Sequence, residues 1–150
     1  MSTETTTPKR GVLYTEYLND EAKEKGGVFL DFGPIEDGSK KHCRILVARA
    51  GGANNAFEKM RELRMRPHRR AQQAGTLANR IVLDILKTVL IKTVILGWEN
   101  VAGLDGKILE FTEKNVRKIL DDLPDLYDEV LNYATDRTVF REEQEADVKN

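Results

Sequence analysis

The sequence predicts a mainly α, α+β fold: a small antiparallel β-hairpin near the N-terminus, then a four-to-five-helix bundle around a central apolar helix. Three observations carry this. Residues 76–96 are almost continuously aliphatic, and a helix that is apolar nearly all round has to sit inside something. In residues 40–49, Cys43, Ile45 and Val47 alternate with Arg44, Leu46 and Ala48, the period of a strand. Further on, Thr112 and Pro124 each open a segment whose apolar residues recur at helical spacing.

Size and charge set the frame. The chain has 150 residues, enough for one domain with a core of its own. Its 24 Lys+Arg against 25 Asp+Glu leave a net charge of -1, so no global field draws it to nucleic acid or membrane. The single cysteine, Cys43, excludes an intramolecular disulfide and fits a reducing cytoplasm. Residues 1–10 are polar and predicted to be a disordered tail, 11–140 a single globular domain, and 141–150 an acidic tail. Arg80, Asp84, Lys87 and Lys92 interrupt the most apolar window, which argues against a membrane span.

Taken in order, residues 12–25 read as either a short helix or an extended arm. Residues 28–32 and 40–49 read as strands, joined through the turn formers Gly33-Pro34 and Asp37-Gly38. After Gly51-Gly52, Asn55 with Glu58 fits a helix N-cap with an acid at N3. That helix is expected to stop near Arg66, because Pro67 disfavours helical geometry in its predecessor. The central helix is expected to start at Thr76 as N-cap and to stop at Gly97, with Trp98 plugging the corner under the following loop. Phe111 precedes the cap at Thr112 and is placed to staple against Val116, while Pro124 restarts the chain as the first residue of a second helix.

Candidates for chemistry are few. The Gly51-Gly52 pair lacks the further glycine or the Gly-Lys-Ser/Thr of a phosphate loop, so it reads as a turn. Asp105-Gly106 lacks the repeated ligands of a calcium loop. His42 and His68 stand isolated in sequence. No catalytic residue, metal ligand or cofactor site is assigned, and the protein is expected to work through its surfaces rather than as an enzyme. The one basic segment holds Lys59, Arg61, Arg64, Arg66, Arg69 and Arg70. It reads as a solvated helix face, as a surface for an acidic protein or, least of all, as a track for phosphates, since no aromatic residues interleave it. Residues 120–150 carry ten acids against three bases, and opposite signs in the two segments suit self-association.

An ordered series of short motifs adds a resemblance. The strand entering Val47-Ala48-Arg49-Ala50-Gly51-Gly52-Ala53-Asn54 is followed by Gly97-Trp98-Glu99-Asn100-Val101 and Asp105-Gly106. Then come Phe111-Thr112-Glu113-Lys114-Asn115, Leu123-Pro124-Asp125-Leu126 and Phe140-Arg141. Over residues 28–145 this order resembles the tail assembly chaperones of long-tailed (siphovirus-type) bacteriophages. The resemblance implies a protein that coats the tape measure protein, keeps it soluble, helps recruit tail tube subunits, and stays in the host cytoplasm rather than in the mature virion. It transfers no binding residue. The partner-binding candidates are therefore physical choices: Arg61, Arg64, Arg69, Arg70 and Trp98. A structural part of the tail or head-tail connector is the alternative, and a nucleic-acid-binding protein the third.

Overall fold

The two strands expected at residues 28–32 and 40–49 form at Val28–Pro34 and His42–Val47, and they pair antiparallel in a computed structural model that describes residues 10–142. The expected disordered tail, save Arg10, and the acidic tail from residue 143 lie outside the described residues. Ahead of the sheet, residues 12–25 resolve as two short helices, α1 (Val12–Tyr17) and α2 (Glu21–Gly26), the second capped by the Asp20 side chain. The hairpin is β1 (Val28–Pro34) and β2 (His42–Val47). After it come α3 (Asn55–Met65), a 3-10 turn (Arg66–His68), α4 (Arg69–Gln73), α5 (Asn79–Thr93), β3 (Ile95–Glu99), α6 (Glu113–Asp122) and α7 (Pro124–Thr135). A second 3-10 turn (Arg137–Phe140) ends the series.

The sheet has a third strand, which departs from the expected helix running on to Leu96. α5 stops at Thr93. Thr93 returns its hydroxyl to the Val89 carbonyl (2.7 Å), and the Val94 carbonyl is taken by the Ala48 amide (2.8 Å). The β-branched run Thr93-Val94-Ile95 favours extension, and the open edge of β2 supplies the partner. β3 pairs antiparallel with β2, and Leu96 is squeezed out where the register shifts. Gly97 is therefore a strand residue opposite Leu46, not a helix stop. At the other end Thr76 is not the cap either; Ala78 holds that position without a side-chain bond.

One face of the sheet turns Ile45 and Val47 inward onto Val89, Leu90, Val94, Val116, Leu120, Tyr127 and Val130. Phe140, in the second 3-10 turn, is wholly buried as well. The second half of α5 is thus the central apolar element. α6 starts as its sequence requires, with the Thr112 hydroxyl accepting from the Asn115 amide (3.1 Å), and α7 starts on Pro124. Phe111 turns its ring edge-on to Trp98 at 5.4 Å.

A buried polar knot ties the N-terminal segments to this core. Glu24 is 3% exposed and pairs with the Arg49 guanidinium (2.5 Å). Gly52, at φ +54°, lies so close that a Cβ there would stand 2.1 Å from the Glu24 carboxylate. The Gly51-Gly52 break is a structural turn, as its missing phosphate-loop residues imply. Asn54, rather than Asn55, precedes α3, and its side chain points inward to donate to the carbonyls of Arg49 (2.8 Å) and Thr93 (2.9 Å).

Candidate functional site

The basic segment becomes a limb. α3 ends at Met65, in line with the stop expected near Arg66, but Arg66 keeps helical angles despite Pro67, and the chain passes through the 3-10 turn into α4 before folding back along α5. α3 and α5 pack on one another, but from residue 58 to residue 88 no side chain is buried. Leu63 and Leu83 are about half exposed, and Val82 is exposed beside them. These apolar side chains share the limb with its exposed charges.

The four candidate arginines divide. Arg61 pairs with Glu58 (2.7 Å) one turn earlier, and this bond, then the Glu58 charge, raises its already high pKa. Arg69 pairs with Glu62. Arg64 and Arg70, together with Arg66 and Arg80, make no ion pair among the described residues. Exposed pairs such as Arg61–Glu58 hold little free energy, and the unpaired arginines leave the limb with an excess of positive charge. Trp98 stands elsewhere, in β3. Its indole N–H donates to the Leu109 carbonyl (3.0 Å), so it packs under the loop 100–110.

A second group of polar side chains forms on the outer face of the sheet. Asp31, Arg44 and Glu99 are register partners across the three strands, and Arg44 donates to Glu99 (2.7 Å). That bond is the main cause of its raised pKa. Asp31 accepts from the Gly33 amide (2.7 Å) and meets His42 Nδ1 (2.9 Å). The Gly33 bond, then His42, holds its carboxyl below the usual range. With Lys40, Lys41 and Asn100 these residues line an open hollow of about 450 Å³. Asn100 takes a positive φ of 57° there, and its amide donates to the His42 carbonyl (2.9 Å).

His42 is thus not isolated, as its sequence position implied, but paired with Asp31. The signal was the hairpin register, which sets both at the turn end of β1 and β2, beside the loop that joins them. A His oriented by a carboxylate is half of an acid-base arrangement. No hydroxyl or thiol lines this hollow. The set behaves as a cross-strand ion-pair ladder.

Among the described residues no group of three or more His, Cys, Asp or Glu could hold a metal ion. None of the described helices is long and apolar enough to cross a membrane. Neither curated proteins nor solved structures give a match. The family model described as YdaY prophage protein matches residues 52–150, which take in the limb, α5, β3, α6 and α7. The chain belongs to the YdaY family of prophage proteins.

Proposed function

We propose that this prophage protein is a tail assembly chaperone that holds the tape measure protein soluble through its limb and helps bring tail tube subunits to it. The observation that supports the reading most is the limb itself. A stretch of thirty or so residues without one buried side chain carries half-exposed leucines beside unpaired arginines. That chemistry suits an elongated amphipathic client bearing acids, held along its length by repeated weak contacts. The protein acts in the host cytoplasm, with no chemistry performed, and leaves before the virion is complete. A permanent tail or connector component would use the same kind of surface and is the second reading.

Co-expression with the tape measure protein tests it. The client should become soluble and co-purify, Arg64→Glu with Arg70→Glu should weaken that capture at least tenfold, and purified virions should lack the chain. An insoluble client rejects the proposal, and a fixed copy number in virions transfers it to the structural reading. DNA affinity that falls steeply with salt would instead assign the arginines to phosphates.

A further inference from the structure

The limb has a counterpart on the same molecule. Where α6 meets α7, Leu123 is 49% exposed and sits among Asp121, Asp122 and Asp125, with Asp128 and Glu129 exposed one turn on. Asp121 and Asp122 are taken by Lys87 (3.0 Å) and Lys118 (3.1 Å). Asp125, Asp128 and Glu129 have no salt bridge among the described residues. No Lys or Arg occurs between residues 119 and 136.

We infer that the limb docks on the α6–α7 corner of a second copy of this chain. Each surface has exposed leucine beside charges that lack an ion pair among the described residues: Asp125, Asp128 and Glu129 on the corner, Arg64, Arg66 and Arg70 on the limb. An apolar centre inside a polar rim is how protein interfaces are built, and opposite rims orient the encounter and reject like pairs. The two do not satisfy each other within one chain. Lys87–Asp121 and Arg117–Asp84 already fix α5 against α6, and in that arrangement the limb arginines and the α7 acids remain unpaired. This contact does not depend on the tape measure client, although both would cover the same leucines.

The test is the mass of the full chain by light scattering and sedimentation, without any client, across micromolar concentrations. Wild type should gain mass with concentration and lose it as salt approaches 1 M, where charges act over only about 3 Å. One variant carries Arg64→Glu and Arg70→Glu, a second Asp128→Lys and Glu129→Lys; all four residues are exposed. Each variant alone should keep the wild-type circular dichroism and stay monomeric, with association at least tenfold weaker. Mixed in equal amounts, they should associate one to one, because the acidic limb meets a basic corner and the basic limb an acidic one. A monomeric wild type overturns the inference, as do folded variants that associate like wild type or a mixture that stays monomeric. Association with no client capture would retain this contact and reject the chaperone reading.

Discussion

Glu24 is the least exposed charged side chain among the described residues, and separate parts of the chain converge on it. Its carboxylate meets the Arg49 guanidinium, its carbonyl accepts from the Arg49 amide (3.0 Å), and Gly52 presses against it. Breaking a buried pair leaves one charge uncompensated, at a cost of about 3–5 kcal/mol. Glu24→Ala should lower stability by that amount in urea unfolding; a loss below about 1 kcal/mol would show that Arg49 reaches water. Two exposed carboxylates set a weaker dependence on pH. Asp136 is held below the ordinary carboxylate range, first by the Thr138 hydroxyl (2.7 Å) and then by the Thr138 amide (2.9 Å). Asp31 is lowered by the Gly33 amide and then His42. For both, folding favours the charged form, so their contribution is complete above the unfolded-state pKa of about 4 and disappears as pH falls through the lower folded value. Asp136→Asn should therefore flatten the stability-pH curve below about pH 4 and leave its shape near neutrality unchanged. An identical acid limb in the variant would show that Asp136 is not held in that way.

At the scale of elements, what the sequence revealed was what local chemistry decides. Thr112 caps α6, Pro124 opens α7, and the alternation around Ile45 makes a strand, because each depends on neighbours a few residues away. β3 was hidden because Ile95 and Leu96 continue an aliphatic run that a helix would also bury. Only the free edge of β2, some fifty positions earlier, turns that run into a strand. The same limit hid the Asp31–His42 pair, which needs the hairpin register. The arginines of the candidate site were legible as a basic run, but their division into paired and free was not. Nor was the exposure of Leu63, Val82 and Leu83: aliphatic residues at helical spacing read as core until tertiary packing fails to cover them. A helix pair with little burial opens at small free energy. Amides in residues 58–84 should thus exchange with deuterium well before those of α6 and α7 in the free protein. Equal protection of the two regions would mean that the limb is covered in solution.

The whole molecule separates a rigid body from a reaching part. β2, the second half of α5, α6 and α7 share one continuous interior, while the limb adds surface without adding core, and the family match spans parts of both. The described chain also comes back to its own start. The Asp20 amide donates to the Phe140 carbonyl (2.9 Å), the Glu142 amide to the Leu18 carbonyl (2.9 Å), and Arg10 pairs with Glu142. This seam brings the two ends of the described residues together. A short tether from residue 142 to residue 10, with a new opening at the fully exposed Leu104, would reorder the sequence without displacing any strand or helix. By the same token, cargo fused ahead of residue 10 and cargo fused behind residue 142 would hang from a single doorway.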